Sequence, residues 1–253
     1  MTENYFQQEY MAQFKKFVGL VYPEFEREIH IRKLKDFHAV YWLRGLDRGY
    51  RNPTAVPLIA VNKDGIWYQT HEIYQAGLTN PPLAKIIKQM CGDRAFELST
   101  MDSADASDIV DLNDIGNFDF IGVRKESGEK DKSYVRWKIQ KFAERLKVKS
   151  NGKPSYFIHP RCENTIMEFE KYAYPETKED EEQEKEVPLK LHDHMMDALG
   201  DLNAMYYHMY EEVEKPEWAD KPAGTYIPPA IVEKEQESGW TSESSDTFWE
   251  NEI

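Results

Sequence analysis

The sequence predicts a mixed α/β fold, one sheet with helices on both faces. Two observations carry that prediction. Three consecutive segments rich in β-branched and aromatic residues are separated by turn signals, and after them helical and strand-like segments alternate until a long amphipathic helix closes the pattern. A meander followed by such alternation needs a sheet that is partly antiparallel and covered on both sides. The 253 residues suit one domain of up to roughly 250 residues, or a smaller one with appendages, and two large domains are not expected.

Residues 1–36 alternate aromatic and charged side chains, from Tyr5-Phe6 through Phe14 and Phe17 to Tyr22-Pro23, and read as an entry segment that packs on the core. Phe37–Leu46 is β-rich and ends at Asp47-Arg-Gly-Tyr50, a turn, so an aspartate stands at the strand exit. Ala55–Val61 and Gly65–Ile73 flank Asn62-Lys63-Asp64, whose closing Asp-Gly is a hairpin signal. Pro82–Cys91 sets Leu83, Ile86, Ile87 and Met90 at helical spacing, and Phe96–Met101 is a short strand with Asp102 at its exit. Ser107–Ile115 is a helix with Ile109, Leu112 and Ile115 on one face, and Phe118–Val123 is another strand. Ser133–Lys147 is an amphipathic helix with Val135, Ile139, Phe142 and Leu146 inward.

Ser155–Ile158 forms a short strand and Cys162–Tyr172 a helix. Residues 176–186 contain no apolar side chain, which predicts a mobile acidic loop within 175–190. A long helix runs from about His194 to Glu214, with Met195, Leu199, Leu202, Met205, Tyr206 and Met209 on its apolar side. Residues 215–253, with Pro216, Pro222, Pro228 and Pro229 before a polar run, predict an acidic, disordered tail. The domain proper is thus 37–214. A ribonuclease H-like fold has this order of elements.

Hydrophobic residues make up 40% and charged residues 31%, and no run approaches the roughly 18 uncharged apolar residues of a membrane-spanning helix. The N-terminal residues lack the basic start and apolar run of a secretory signal, and Cys91 and Cys162 read as two reduced thiols of a cytosolic protein. The net charge of −14 is unevenly spread. Residues 175–253 hold 22 acidic and 6 basic side chains, leaving 24 acidic and 26 basic in residues 1–174. Within that near-neutral body, residues 124–153 carry eleven bases against four acids, a local +7 able to face a polyanion. A solvated cationic surface is an equally good reading of the helix at 133–147.

Three aspartates stand where a metal site would place them: Asp47 and Asp102 at strand ends, and Asp197 on the first turns of the last helix. Brought together unpaired they would repel, so a shared site implies a hard divalent cation. Singly, each reads as a turn or cap residue. His194 lies three residues before Asp197, on the same helical face, where it could bind metal, orient a ligand or move a proton. Asp193 is either a further ligand or an N-terminal cap.

The local sequences resemble three motifs of one family. Gly45-Leu-Asp-Arg-Gly-Tyr-Arg-Asn-Pro-Thr-Ala55, Asp102-Ser-Ala-Asp-Ala106 and His192-Asp-His-Met-Met-Asp-Ala-Leu199 occur in order, as do the nuclease motifs of the C-terminal domain of tailed-bacteriophage large terminase subunits. The resemblance spans roughly residues 5–212. It includes Phe6-Gln-Gln-Glu-Tyr10, similar to the family's linker from its ATPase domain, Lys125, and Cys162-Glu-Asn-Thr-Ile166. Departures are Asp105 and Ala106 for the usual glutamate and proline, His192 for an aspartate, and Gly200-Asp201 where a basic and an aromatic residue often follow.

The resemblance implies a ribonuclease H-like endonuclease that cleaves concatemeric double-stranded viral DNA in the host cytoplasm. Asp47, Asp102 and Asp197 would bind two Mg²⁺ or Mn²⁺ ions, with His194 and Asp193 as further candidates and Mn²⁺ the more effective ion. Arg48, Arg51 and Lys125 are candidate phosphate contacts, with Lys130, Lys132 and Arg136 as a second set. The chain has no Gly-x-x-x-x-Gly-Lys-Ser/Thr run, so an ATPase would act in cis or in trans, alongside a portal protein and a small terminase subunit. Two rival readings are another ribonuclease H-like enzyme, such as a resolvase or transposase core, and a portal or capsid docking module.

Overall fold

The density of β-branched residues decides the centre of the sheet. Strand β2 (Thr54–Val61) is buried along its whole length, so it lacks inside–outside alternation, the mark of a strand covered on both faces. It pairs antiparallel with β1 (Tyr41–Asp47) and β3 (Trp67–Gln75). Parallel neighbours complete the sheet: β4 (Phe96–Asp102) beside β1, β5 (Ile121–Gly122) beyond it, and β6 (Tyr156–Ile158) beside β3. The order is β5-β4-β1-β2-β3-β6, the mixed sheet that the sequence predicts. The computed structural model describes residues 19–102, 106–123, 129–175 and 187–210, all within one compact unit. Half of the entry segment (residues 1–18), Asp105, Lys125, the acidic loop 176–186 and the tail 215–253 lie outside them.

Among the described residues six helices flank the sheet: α1 (Arg27–His30), α2 (Asn80–Cys91), α3 (Ala106–Gly116), α4 (Glu129–Leu146), α5 (Glu163–Lys171) and α6 (His194–Tyr210). On one face Leu43, Ile59, Val61 and Trp67 meet Phe142 and Leu146 of α4, Phe169 of α5, and Leu199 and Leu202 of α6. On the other, Leu46, Val56, Leu58 and Ile73 meet Leu83 and Ile87 of α2 and Leu112 of α3. Each fully buried aliphatic side chain contributes about 1.5–3 kcal/mol, so both helical layers are needed to keep the sheet's two apolar faces from water. Val21 and Tyr22 join the first core, and His30 Nε2 lies 2.9 Å from the Leu146 carbonyl oxygen. No helix among the described residues is long and apolar enough to cross a membrane.

Some boundaries differ from the sequence prediction for identifiable reasons. The first strand begins at Tyr41, because Phe37 leaves the sheet to pack its ring 5.2 Å from that of Tyr68. The strand predicted at 118–123 shrinks to two residues. Phe118 and Phe120 turn inward onto the Arg44 guanidinium at 4.8 and 4.5 Å, and the Asn113 amide bonds both the N–H and the carbonyl of Phe120. Those backbone groups are thereby withdrawn from pairing. Helix α2 starts two residues early, since Pro81 and Pro82 occupy first-turn positions where no N–H is required.

Candidate active site

Strands β1 and β4 run parallel and in register, Gly45 opposite Thr100 and Asp47 opposite Asp102. Two aspartates that are 55 positions apart in sequence thus become neighbours at one sheet end. Helix α6 crosses this end very closely. A β-carbon at Gly45 would stand 2.6 Å from the Ala198 carbonyl oxygen, so the glycine of the first motif is what lets the helix lie on β1. The crossing brings the first turn of α6 to the strand exits. There His194 Nδ1 lies 3.1 Å from Asp47 Oδ2.

Two carboxylates, the buried Glu168 and the half-buried Glu72, support this geometry. Glu168 of α5 accepts hydrogen bonds from the N–H groups of Met195 at 2.7 Å and Met196 at 3.2 Å, with Oε1 taking the Tyr74 hydroxyl at 2.7 Å. It satisfies free N–H donors in the first turn of α6 and complements the helix dipole. Glu72 of β3 does the same for α5, accepting from the Asn164 and Thr165 N–H groups at 2.8 and 2.9 Å. The helix that carries His194 and Asp197 is therefore tied, through α5, back to the sheet.

Two lysines hold Asp197. Lys138 of α4 donates to Asp197 Oδ1 at 2.9 Å and to Asp201 Oδ1 at 2.8 Å, and Lys190 donates to Asp197 Oδ2 at 3.0 Å. Lys190 also stands 3.4 Å from Asp193 Oδ2. The two lysines differ in surroundings: the Lys138 side chain is 8% exposed and that of Lys190 72%. Asp193, directly before the helix, is buried.

The charges perturb one another accordingly. Burial raises the Asp47 carboxyl, the His194 hydrogen bond offsets part of this, and Asp197 and Asp102 push it further up. The same bond to Asp47 holds His194 above the ordinary histidine value against the opposing effect of burial. Burial disfavours the charged form of Asp197, but Lys138 and Lys190 outweigh it and keep the carboxyl below its usual range. Burial would likewise depress Lys138, yet Asp201 and Asp197 hold the ammonium well above the ordinary lysine value. One ammonium cannot compensate two carboxylates. The deficit falls on Asp201, which burial pushes up to about 6 against the pull of Lys138.

The residues predicted as phosphate contacts fare differently. Arg48 does not face outward: its guanidinium bonds Asp108 Oδ2 at 3.1 Å, Thr54 Oγ1 at 3.1 Å, Asn80 Oδ1 at 3.2 Å and the Gly49 carbonyl at 2.8 Å. It organises the turn after β1 instead. Arg51 is exposed, Lys132 and Arg136 are partly buried on α4, and Lys130 falls on the same helix. Sequence reasoning gave no site role to Lys138, Lys190, Asp201 or Glu168, although it named Asp201 as a departure from the third motif. A signal existed for two of them. Lys138 sits three residues after Val135 and four before Phe142, on the apolar stripe of α4, and Asp201 follows Asp197 by one helical turn. Nothing in the sequence marks Glu168 or Lys190.

The profile of the family described as "Terminase RNAseH like domain" matches residues 47–207, well over half of the chain and all three aspartates. The chain belongs to this terminase family. A stretch of 102 residues is 38% identical to the large terminase subunit of Escherichia phage T5, covering 37% of this chain and 23% of that protein. The chain thus spans about a quarter of the length of the curated relative it matches. The fold is shared with the large terminase of a thermophilic bacteriophage (TM-score 0.60, 20% identity, 74% of this chain and 45% of that one). It is shared as well with the P22 large terminase nuclease domain (TM-score 0.57, 14% identity, 76% and 94%). The magnesium-bound large terminase nuclease of thermophilic phage G20c is a further match (TM-score 0.51, 13% identity, 74% and 97%).

In this terminase domain the donor set suits a divalent cation: hard carboxylate oxygens at two strand ends, a third on the facing helix, and mutual repulsion for a cation to relieve. As they stand, no three His, Cys, Asp or Glu side chains among the described residues converge tightly enough to enclose an ion. Asp197 itself is engaged elsewhere, its two oxygens each turned to a lysine. Releasing Lys190, an exposed and weakly held partner, would free one of them.

Proposed function

We propose that this terminase domain is a metal-dependent endodeoxyribonuclease that cuts concatemeric double-stranded DNA during genome packaging. The observation that carries the reading is the in-register pairing of Asp47 with Asp102, across which α6 sets His194 against Asp47 at 3.1 Å. Asp47, Asp102 and Asp197 would hold the metal, with Asp193 adjacent to them. Bound there, two Mg²⁺ or Mn²⁺ ions would supply Lewis acidity to the phosphodiester and neutralise charge on the departing 3′-oxygen. The related G20c nuclease binds magnesium, which supports the choice of cation class.

The chain's own residues supply position and proton traffic. With a carboxylate as its acceptor, His194 Nδ1 carries the hydrogen, leaving Nε2 as the ring atom that can exchange a proton with water or the leaving oxygen. Glu168 fixes the start of the helix that presents His194 and Asp197. DNA would be held through its phosphates, by Arg51, Lys125, Lys130, Lys132 and Arg136, with little base readout. Packaging would draw its ATPase in cis or in trans and engage a portal protein and a small terminase subunit in the host cytoplasm.

The deciding experiment incubates the purified chain and its Asp197→Asn variant with supercoiled plasmid and Mn²⁺, with EDTA as control. Cleavage by the parent, absent with EDTA and reduced at least about 100-fold in the variant, is the expected result. Undiminished cleavage by the variant would remove Asp197 from the site, and an inert parent protein would favour the docking-module reading. Mn²⁺ is expected to outperform Mg²⁺ at matched concentration, since three aspartates and a histidine are fewer hard ligands than many two-metal sites have.

A further inference from the structure

Lys138 is an unusual group to find in a cluster of candidate metal ligands. Its side chain is 8% exposed and its ammonium reaches two carboxylates at once, Asp197 at 2.9 Å and Asp201 at 2.8 Å, from a helix other than theirs. The stem has a prepared seat. It lies against the bare Cα of Gly200, where an added β-carbon would touch Lys138 Cδ at 3.4 Å and Cε at 3.6 Å, so a side chain larger than alanine would displace it. Gly200 and Asp201 are two of the positions at which the third motif and its continuation depart from the family pattern, His192 being the other. The departures at Gly200 and Asp201 meet at Lys138.

The two oxygens of Asp197 are held unequally. Oδ2 faces Lys190, a largely exposed side chain whose pairing water and salt weaken. Oδ1 faces Lys138, whose side chain is nearly closed to solvent and whose ammonium is tethered a second time by Asp201. An arriving cation can displace Lys190 and leave Lys138 in place. We infer that Lys138 is a built-in cation of the nuclease site: it positions Asp197 by one oxygen and offsets charge that a metal ion would otherwise offset, so holding metal affinity down. Asp201 tunes this by drawing on the same ammonium. The inference rests on the nuclease reading, and it assigns Lys138 a positioning role, acting through Asp197.

Electrostatics then demands opposite signs from two single substitutions. Lys138→Met removes a positive charge beside Asp197 and should tighten Mn²⁺ binding about tenfold or more, whereas Asp201→Asn frees the ammonium for Asp197 alone and should weaken binding by a similar factor. Free Mn²⁺ is counted by electron paramagnetic resonance during titration of the full chain, wild type and both variants, with folding checked by circular dichroism. Plasmid cleavage by the wild type is run in parallel. The opposite-sign pattern supports the inference, as does Mn²⁺ binding that is measurable only in Lys138→Met. Equal or weaker binding by a folded Lys138→Met protein overturns it, and so does absence of binding in all three proteins. Should Lys138→Met not fold, Asp201→Asn decides alone: weaker binding supports the inference and unchanged affinity overturns it. A wild type that binds Mn²⁺ but leaves DNA intact defeats the nuclease reading without touching the assignment of Lys138.

Discussion

At the scale of single residues, Asp47 and His194 set each other's proton affinity. The carboxylate at the end of a buried strand is disfavoured by burial and by its fellow aspartates, and the imidazole 3.1 Å away is what relieves it. The reciprocal effect raises His194. A histidine whose folded value exceeds its unfolded value of about 6.5 contributes stability that is complete below that pH and is lost as pH rises through the folded value. Asp47→Asn should therefore move the His194 titration to lower pH and remove that share of the stability gained on acidification. The imidazole Cε1 proton chemical shift, followed by NMR from about pH 5 to 9 in both proteins without metal, reads this directly. An unmoved titration would mean that the bond does not persist in solution.

At the scale of elements, the site depends on how α6 is docked. Two residues outside the motif aspartates control this. Glu168 bonds the first N–H groups of the helix, and burial pushes its carboxyl up to about 6 from an ordinary 4.5. A raised acid contributes stability that is complete below about pH 4.5 and is lost as pH rises through about 6, a linkage of roughly 2 kcal/mol. Glu168→Gln should flatten that slope. At about pH 7.5 it should also cost about 1–3 kcal/mol, because the amide nitrogen cannot accept from both α6 and Tyr74. Urea unfolding on either side of the Glu168 titration, at about pH 5 and about pH 7.5, tests both statements. Gly45→Ala should act through contact instead, driving a β-carbon to 2.6 Å from the Ala198 carbonyl and destabilising the domain by about 1–3 kcal/mol. Since the backbone of α6 must then shift away from β1, DNA cleavage should fall further than the lost stability explains, which assays on the residual folded protein measure.

At the scale of the whole molecule, charge is segregated. Residues 1–174 are nearly neutral with a basic stretch at 124–153, and residues 175–253, with 22 acidic and 6 basic side chains, carry more negative charge than the chain's net −14. Such a segment repels a polyanion over a Debye length of about 10 Å at about 0.1 M salt, and a proposed phosphate-holding surface would be opposed by its own chain. Removing residues 176–186, seven acids against two bases, should strengthen duplex binding, more so at about 50 mM than at about 200 mM salt. Fluorescence anisotropy with a labelled duplex checks it. Identical affinities at both salt concentrations would show that this segment does not compete with DNA.

Much of the protein was legible from one dimension. Period and turn chemistry are local properties, so the meander, the helices carrying Leu83–Met90 and Val135–Leu146, and the aspartates at two strand exits could be read from neighbouring residues alone. The family followed from three short motifs in order. The short β5 could not be read, because Phe118 and Phe120 look like strand residues until Arg44, more than 70 positions earlier, is brought between them. Arg48 looked like a phosphate contact until Asp108, 60 positions later, took its guanidinium. Lys138, a base expected on the solvated side of its helix, is buried instead, and its partners lie 59 and 63 positions away. Local chemistry sets which side chains carry charge and which face of each element is apolar. Which of those charges meet is settled in three dimensions, because α6 is laid across β1 and β4 by burial of its apolar face, and burial has no preference among the ionic pairs it happens to enclose.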